Sequence, residues 1–380
     1  MNLNGYEKET DVKYSKIKNV HTGILDKHGH KMINKNISVK IYSTSEENSN
    51  EWNGYLKTND QACLYQLYEW QIINKGYFKH SVYNIVAEIN NQIVGVLPLV
   101  SLKSMIFGHI LCSMPFVNYG SSCANSTEIE KKLMEYACEL TNKIGAKYLE
   151  VRSQKPSVIN MKESKNKISL TIKLDDDYET LWNGFKSKHR TNIRRVYKNG
   201  ITVKKGGDEL LKPFYEILSK SWRDLGTPIY SIEYFKKITQ YFKSDYTIFI
   251  AYKDATPVAA AFNGYYKDIV EGMWLGLDNQ YRQYQPSYVL YWEMIKDACE
   301  RGFKTYHLGR SSTDSGGESF KKKWNADTKQ LYWQYHLNSI EEMPNLNPSN
   351  PKYKFLIKIW RILPLKITQI IGPLIAKNIP

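Results

Sequence analysis

Cationic, hydroxyl and aromatic side chains are concentrated between residues 310 and 324, in RSSTDSGGESFKKKW. Three adjacent lysines lie between Phe320 and Trp324. Fixed ammonium groups stabilise an oxyanion or a phosphate, while the two aromatic side chains would form an apolar wall. The segment follows a predicted strand that ends near Gly309, and polar loops after strands commonly line active sites. The alternative is a solvated helix start that Ser319 or Asp314 caps.

A second cationic cluster lies between Lys186 and Lys205, which holds eight Lys or Arg and no acidic residue. Apolar residues recur near helical spacing here, which predicts a helix with one buried side. The stripe of Lys186, Arg190, Arg194 and Lys198 is spaced by four residues, so its like charges repel along that helix. The phosphates of a nucleotide or of tRNA would suit such a stripe. A solvated basic face is the alternative.

The tail, residues 352–380, combines apolar residues at helical spacing with six Lys or Arg and no acidic residue. Its apolar runs are shorter than the roughly 18–20 residues that a membrane span requires. Two interpretations remain open: a basic amphipathic segment that lies on an anionic membrane, or a segment that packs on the domain surface.

An internal repeat indicates which elements position these side chains. Residues 85–96 (IVAEINNQIVGV) and 249–260 (FIAYKDATPVAA) are apolar runs with a polar turn, and they are 164 positions apart. Each predicts a β-hairpin. Further on, KYLEVRS after Ala137-Cys138-Glu139 resembles TYHLGRS after Ala298-Cys299-Glu300. The chain is therefore predicted to contain one unit of hairpin, strand, helix and strand twice. Only the second copy ends in the cationic loop.

The composition of the chain limits which partners and which kinds of site it is expected to have. The chain has 380 residues, of which 42% are hydrophobic, and a formal charge of +15. That charge predicts an anionic partner: nucleic acid, a nucleotide-linked substrate or a membrane surface. The N-terminus lacks the apolar region of a signal peptide. Five cysteines and eight histidines show no metal-ligand or disulfide spacing, so no metal is predicted, and His189 and His307 are interpreted as structural residues.

Several short segments carry a family resemblance. They are Arg190-x-Asn192-Ile193-Arg194-Arg195, Gly200-Ile201-x-Val203, Arg223-Asp224-Leu225-Gly226-Thr227-Pro228-x-Tyr230, Pro286-x-x-x-Leu290-Tyr291-Trp292, Gly309-Arg310-Ser311, Phe320-Lys321-x-x-Trp324 and Ser113-Met114-Pro115-Phe116-x-Asn118-Tyr119-Gly120. These segments resemble motifs of the Fem family, the aminoacyltransferases that build peptide bridges on cell-wall precursors, within the GNAT superfamily. The resemblance is strongest to the FemAB-like, BioF2-like subgroup associated with exosortase and exopolysaccharide systems, and it covers about residues 50–340.

This resemblance implies an α/β (α+β) fold of two tandem GNAT-like domains, with mixed central sheets flanked by helices and a C-terminal amphipathic helical tail. We expect a polar N-terminal extension (residues 1–37), a first domain (38–165), a second, BioF2/Fem-like acyltransferase domain (166–343) and the basic tail (344–380). The resemblance also implies transfer of an activated acyl group to an amine. In the Fem enzymes the donor is aminoacyl-tRNA.

The lysine of the Fem Phe-Lys pair helps to stabilise the transition state, which assigns that role to Lys321. The other catalytic candidates are Arg310 and Asp314, the latter as a general base. The substrate-binding candidates are Phe320, Trp324, Arg190, Arg194, Arg195, Tyr230 and Tyr119. Ordinary GNAT enzymes bind the pyrophosphate of coenzyme A with a glycine-containing loop before the helix that here includes Leu290. The corresponding segment, YRQYQPS, contains no glycine, which disfavours coenzyme A.

The prediction is an N-acyltransferase or aminoacyltransferase that acts on an amine of a cell-envelope or exopolysaccharide precursor. We expect no cofactor beyond the acyl donor, which is either aminoacyl-tRNA or acyl-CoA. The expected partners are tRNA or a nucleotide- or lipid-linked precursor. We expect a cytoplasmic monomer, with peripheral contact at the inner face of the membrane left open. The alternatives are an acyl-CoA-dependent acetyltransferase and a non-enzymatic RNA- or membrane-binding protein on a degenerate GNAT scaffold.

Overall fold

The protein folds around one continuous mixed sheet flanked by helices. The computed structural model describes residues 36–104, 107–344 and 351–379, so most of the predicted N-terminal extension lies outside the described residues. The strands are β1 Ser38–Tyr42, β2 Ser81–Ile89, β3 Gln92–Ser104, β4 Gly108–Cys112, β5 Cys123–Ala124, β6 Tyr148–Ser153, β7 Lys162–Lys173, β8 Ile201–Gly206, β9 Tyr246–Lys253, β10 Thr256–Tyr266, β11 Ile269–Leu277, β12 Thr305–Ser312 and β13 Asp327–Leu337.

Helices cover both faces of the sheet and form the tail. They are α1 Glu46–Thr58, α2 Tyr68–Gly76, α3 Thr127–Lys143, α4 Tyr178–Gly184, α5 Ser187–Lys198, α6 Leu211–Leu225, α7 Ile232–Phe242, α8 Ser287–Glu300, α9 Gly316–Lys321, α10 Pro351–Ile362 and α11 Leu365–Ala376. Among the described residues, none of the helices combines the length and the apolar character needed to cross a bilayer.

The predicted repeat is confirmed element by element. Strands β2 and β3 form the first hairpin, whose turn residues Asn90 and Asn91 both have positive φ, as a tight hairpin turn requires. Strands β9 and β10 form the second, with Asp254 in the same conformation. Each hairpin is followed by a strand, a helix and a further strand: β4, α3 and β6 in the first unit, and β11, α8 and β12 in the second.

The two units share their sheet. The strand order is β1-β2-β3-β4-β6-β13-β7-β12-β11-β10-β9-β8. Strand β13, from the end of the second unit, lies between β6 and β7 and pairs antiparallel with both. Strand β7 spans residues 162–173, so the predicted boundary between residues 165 and 166 falls inside it. The fold is thus the predicted mixed α/β arrangement, with the two central sheets joined into one.

In the first unit, the gap between the last two strands is closed by the unit's own chain. Strands β4 and β6 pair in parallel at only two positions. Beyond them, Ser113 and Gly120 donate their backbone N–H groups to the carbonyls of Glu150 and Arg152 in β6, at 2.8 and 3.0 Å. The loop 113–120 therefore occupies the edge of β6 beyond the paired positions.

In the second unit the corresponding strands part and leave the gap open. Parallel pairing between β11 and β12 ends at Glu271 and His307. Two residues later Gly309 has a φ of +75°, and the pairing of β12 with β7 shifts register there. A Cβ atom on Gly309 would lie 2.8 Å from the carbonyl oxygen of Gly272. Glycine is required at this bulge both by the backbone conformation and by the close approach of β11.

We expect Gly309→Ala to lower the free energy of unfolding more than Gly302→Ala does. Both positions have a left-handed φ, but a Cβ on Gly302 would meet no atom within 4 Å. The shared conformational cost is about 1 kcal/mol, and the contact with Gly272 should add a further ~1–3 kcal/mol. Urea denaturation of the two variants measures the difference. Equal losses of stability would show that the close approach is not a constraint.

Candidate active site

A cavity of about 760 Å³ lies where β11 and β12 part. Both units contribute to its lining. The lining residues with polar side chains include Tyr65, Asn118, Arg152, Tyr230, Arg310, Ser311 and Lys321. Asn118 and its neighbours Phe116 and Val117 belong to the loop 113–120 that closes the gap of the first unit. The closed unit therefore forms part of the wall of the open one.

Lys321 lies at the end of α9 and is buried, with 9% of its surface exposed. Its ammonium donates hydrogen bonds to the carbonyl oxygens of Gly309 and Arg310, at 2.9 and 3.0 Å. It forms no salt bridge within the described residues. Burial, followed by the charge of Arg310, lowers the pKa of Lys321 from 10.5 to about 7. A lysine ammonium has three N–H donors, so one remains for a ligand in the cavity.

Helix α9 places Lys321 in the cavity, and the structure corrects the cap predicted for this helix. The N-cap is Ser315, whose hydroxyl accepts a hydrogen bond from the N–H of Glu318 at 3.2 Å. It is neither Ser319 nor Asp314. Asp314 is exposed, has a φ of +58° and does not line the cavity. Its carboxylate is therefore not positioned to act as the general base proposed from the sequence.

Arg310 brings a second cation to the cavity. Among the described residues, the guanidinium of Arg310 forms one hydrogen bond, a long contact of 3.5 Å to the carbonyl oxygen of Val117. Burial and the nearby charge of Arg152 lower the pKa of Arg310 to about 10. Arg152, in contrast, forms a salt bridge of 2.8 Å with Glu150. Arg310 thus remains charged at neutral pH, with donors free to bind an anionic group.

The aromatic wall of the cavity is built from Phe320 and from Tyr291 of α8. Phe320 lines the cavity and makes edge contacts with Tyr288 and Tyr291, with ring centroids 5.2 and 5.3 Å apart. Trp324 is fully buried behind Tyr291, on which it stacks at 5.7 Å. Trp324, predicted to bind substrate, is not among the residues that line the cavity and packs behind its wall. Tyr230 does line it, and burial raises the pKa of its hydroxyl.

A buried polar network lies beneath the cavity and joins the two units. Glu271 of β11 accepts hydrogen bonds from the hydroxyl groups of Tyr65, at 3.2 Å, and Tyr119. The ring nitrogen Nδ1 of His307 lies 2.7 Å from the same carboxylate. Tyr65 lines the cavity and also accepts a hydrogen bond of 2.9 Å from the amide of Asn118. Tyr119, predicted to bind substrate, is not among the residues that line the cavity, and its hydroxyl donates to Glu271.

Sequence reasoning did not identify Glu271, Tyr65 or Asn118 as site residues. The available signal was Glu271 itself, a single carboxylate in the apolar strand IVEGMWLGL. Burial of an unpaired carboxylate is costly, so such a residue must have partners. Two of those partners, Tyr65 and Tyr119, come from positions more than 150 residues away, which no local pattern reveals.

The three arginines predicted to hold a phosphate do not line the cavity. The predicted helix is divided into α4 and α5, and Arg190 donates to the carbonyl oxygens of Asn183 and Phe185 at the end of α4, at 2.9 and 2.5 Å. Arg194 lies over the ring of Trp182, 5.2 Å from its centroid. Two of the three guanidinium groups therefore fix α4 against α5.

Arg195 alone of these three arginines reaches the loop before α8. It donates a hydrogen bond of 2.6 Å to the side chain of Gln285, a residue with a φ of +55°. The N–H of Gln285 bonds to the carbonyl of Arg282, and the N–H of Tyr288 bonds to that of Gln285. These backbone amides are used within the loop. The N–H groups of Gln285 and Tyr288 are therefore not free to bind a phosphate.

Part of the chain matches a known domain, and its fold is similar to that of several solved structures. Residues 185–322 match the sequence profile described as "Acetyltransferase (GNAT) domain". No curated protein sequence is significantly similar to the chain. The structure of FemX has a TM-score of 0.60 at 16% identity, and the match covers 84% of this chain and all of FemX.

Two further structures share the fold. One is the C-terminal domain (DUF2156) of a protein assigned as a lysylphosphatidylglycerol synthetase from Agrobacterium fabrum, with a TM-score of 0.53 and 10% identity, covering 76% of this chain and 91% of that one. The other is a tandem GNAT protein from the clavulanic acid biosynthesis pathway, with a TM-score of 0.50 and 11% identity, covering 80% and 100%. Residues 185–322 therefore correspond to a GNAT-type acyltransferase domain, and the chain shares the overall fold of FemX.

Proposed function

We propose that the protein transfers an activated acyl group, in particular an aminoacyl group, to an amine on an anionic cell-envelope or exopolysaccharide precursor. The observation that carries this proposal is the position of Lys321, a buried lysine with one free donor in the cavity between the parted strands. Its two carbonyl acceptors hold the ammonium in place before substrate binds. Such preorganised donors are worth several kcal/mol in a dry site.

The reaction requires one bond to form and one to break. The amine nitrogen attacks the carbonyl carbon of the acyl ester, and the π electrons move to the oxygen, which becomes an oxyanion. Lys321 donates its remaining hydrogen bond to that oxyanion. When the intermediate collapses, the bond from carbon to the leaving oxygen breaks, the amide forms, and the proton lost by the amine is delivered to the leaving group.

Tyr65 and Glu271 are the proposed route for that proton. The hydroxyl of Tyr65 donates to Glu271 and accepts from Asn118, which leaves one lone pair of its oxygen for an incoming N–H. The tyrosine lines the cavity, whereas the carboxylate is buried beneath it. Glu271 would thus accept a proton through Tyr65 without direct contact with substrate.

Arg310 gives the preference for an anionic substrate, because its guanidinium faces the cavity without a carboxylate partner among the described residues. The donor is proposed to be aminoacyl-tRNA in preference to acyl-CoA. The loop before α8 supports this choice, since Arg195 binds the side chain of Gln285 and the N–H groups of Gln285 and Tyr288 are bonded within the loop. The likeness to FemX and to a lysylphosphatidylglycerol synthetase domain, together with the Fem motifs, favours the same donor.

Lys321→Met should abolish most of the transfer, because it keeps the aliphatic stem and removes the charge. We expect a loss of about a hundredfold or more in kcat. Lys322→Met is the matched control, since Lys322 is exposed and pairs with Glu318 on the outside of α9. Mass spectrometry of products formed from aminoacyl-tRNA and acyl-CoA pools, with amine-bearing nucleotide- and lipid-linked sugars as acceptors, identifies the reaction. Tight tRNA or precursor binding without any product would favour a binding protein instead.

The depressed pKa of Lys321 should also appear as a pH-dependent stability. Below about pH 7 the lysine is protonated in both the folded and the unfolded chain, so the cost of burying its charge is fully present. Between about pH 7 and its ordinary pKa of 10.5, the folded chain releases the proton that the unfolded chain retains, and this cost declines. Lys321→Met should therefore be more stable than the wild type at about pH 6, and the difference should shrink by about pH 9. Urea denaturation across this range measures it, and a constant difference would contradict the lowered pKa.

Tyr65→Phe should reduce kcat by about a hundredfold with little change in KM, because it interrupts the proposed proton route and leaves the cavity its shape. Tyr234→Phe is the control, a buried tyrosine that does not line the cavity. Wild-type turnover by Tyr65→Phe would exclude this route while leaving the role of Lys321 intact.

A further inference from the structure

The two tail helices expose an unusual amount of apolar surface. Within the described residues, eleven large hydrophobic side chains are exposed, and seven of them belong to α10 and α11. These seven are Phe355, Leu356, Ile359, Ile362, Ile367, Ile370 and Leu374. On each helix they recur at intervals of three, four and seven residues, so each helix has one apolar side directed away from the protein. Surfaces of this kind mark interaction sites.

The opposite sides of both helices are packed against the body of the protein. The side chain of Ile357 occupies the space that a Cβ on Gly226 would need, and Gly372 lies against the backbone of Ile229, where a Cβ would be 2.9 Å from its carbonyl oxygen. The ring nitrogen Nε2 of His80 bonds to the carbonyl oxygen of Lys377 at 2.8 Å. The tail is thus docked, and its outward apolar side is a fixed feature of the surface.

The charge of the tail indicates which kind of partner covers the apolar side of α10 and α11. The tail, residues 352–380, contains six Lys or Arg and no acidic residue. Lys354, Lys358 and Lys366 are exposed and form no salt bridge with any described residue. Apolar side chains flanked by cations without counter-charges complement an anionic lipid surface, into which the apolar groups insert while the lysines contact the headgroups.

The exposed side also lies beside the cavity. Ala376 and Ile379 line the cavity together with Leu225, and 62% of the surface of Leu225 is exposed. Arg361 donates a hydrogen bond of 3.3 Å to the carbonyl oxygen of Leu225 and so ties α10 to the same rim. A surface that covers the tail would therefore adjoin the rim of the cavity.

We propose that α10 and α11 dock the protein on an anionic lipid bilayer, so that the rim at Leu225 and Ile379 faces the headgroups. This proposal deepens the proposed function and rests on it only in one respect: the amine acceptor would be presented by a lipid at the bilayer surface. The docking itself follows from the tail and does not depend on the reaction.

Flotation of the full chain with lipid vesicles tests the docking. We expect the protein to float with vesicles made of equal parts phosphatidylcholine and phosphatidylglycerol and to bind pure phosphatidylcholine far more weakly. Replacing Lys354, Lys358 and Lys366 by Gln should weaken binding to the anionic vesicles on the order of a hundredfold. Ile362→Glu with Ile370→Glu should abolish it, because carboxylates would enter the apolar layer.

Matched control variants carry the same kinds of substitution at exposed positions outside the tail. Lys57, Lys131 and Lys329 replaced by Gln remove three exposed lysines outside the tail, and Tyr241→Glu with Met343→Glu adds two carboxylates at other exposed apolar positions. Both controls should float as the wild type does. The proposal is overturned if the wild type does not float with anionic vesicles, or if the tail variants float as well as their controls.

Two further measurements separate the possible causes of failure. Sedimentation velocity of the wild type and of the Ile362→Glu, Ile370→Glu variant detects self-association. If the wild type is a dimer that dissociates in the variant, the apolar side binds a second copy of the chain, and the proposal is overturned. Transfer to a water-soluble amine acceptor should be equal in the wild type and this variant. Intact transfer without flotation overturns the docking alone, whereas flotation without any transfer overturns the proposed function alone.

Discussion

The parting of β11 and β12 at Gly272 and Gly309 is the constraint on which the rest of the candidate site depends. Because β12 no longer pairs with β11 beyond His307, the carbonyl groups of Gly309 and Arg310 are open to a side-chain donor. Lys321 supplies two of its three hydrogens to them. The same bulge that opens the cavity therefore positions the cation inside it.

The two units of the repeat differ in the gap between their last two strands, which is filled in the first unit and open in the second. The first unit fills its own gap with the loop 113–120, which bonds to the edge of β6. That loop then provides Asn118 to the cavity of the second unit. Strand β13 completes the connection, because it pairs with a strand of each unit. The sheet is therefore shared, and the cavity belongs to both halves of the chain.

The charges in the cavity differ in whether a carboxylate pairs with them. Arg152 is paired with Glu150, whereas Lys321 and Arg310 are held near one another without a carboxylate partner among the described residues. Burial of unpaired charges costs free energy, and the lowered pKa values of both residues express that cost. An oxyanion or another anionic group would relieve it, which agrees with acyl transfer to an anionic substrate.

The sequence by itself determined the elements and their duplication. Polar turns such as Asn90-Asn91 and the apolar runs around them depend on local backbone preferences, so the hairpins, the helix α8 and the tail helices were predictable. The segment that contains Lys321 and Arg310 was also identifiable, because its cations and aromatics are adjacent in the chain. The Fem-like motifs added the reaction class and singled out Lys321.

Only the tertiary structure decided which of those side chains meet. Arg190 and Arg194 looked like phosphate ligands in the sequence, yet their guanidinium groups fix α4 against α5 because the chain breaks between these helices. Asp314 was one residue from the true cap and points to solvent. Glu271 and Tyr65 are about 200 residues apart, and their hydrogen bond exists because the two units fold on one sheet. Local preference shapes segments, whereas a site made from distant segments depends on how the whole chain packs.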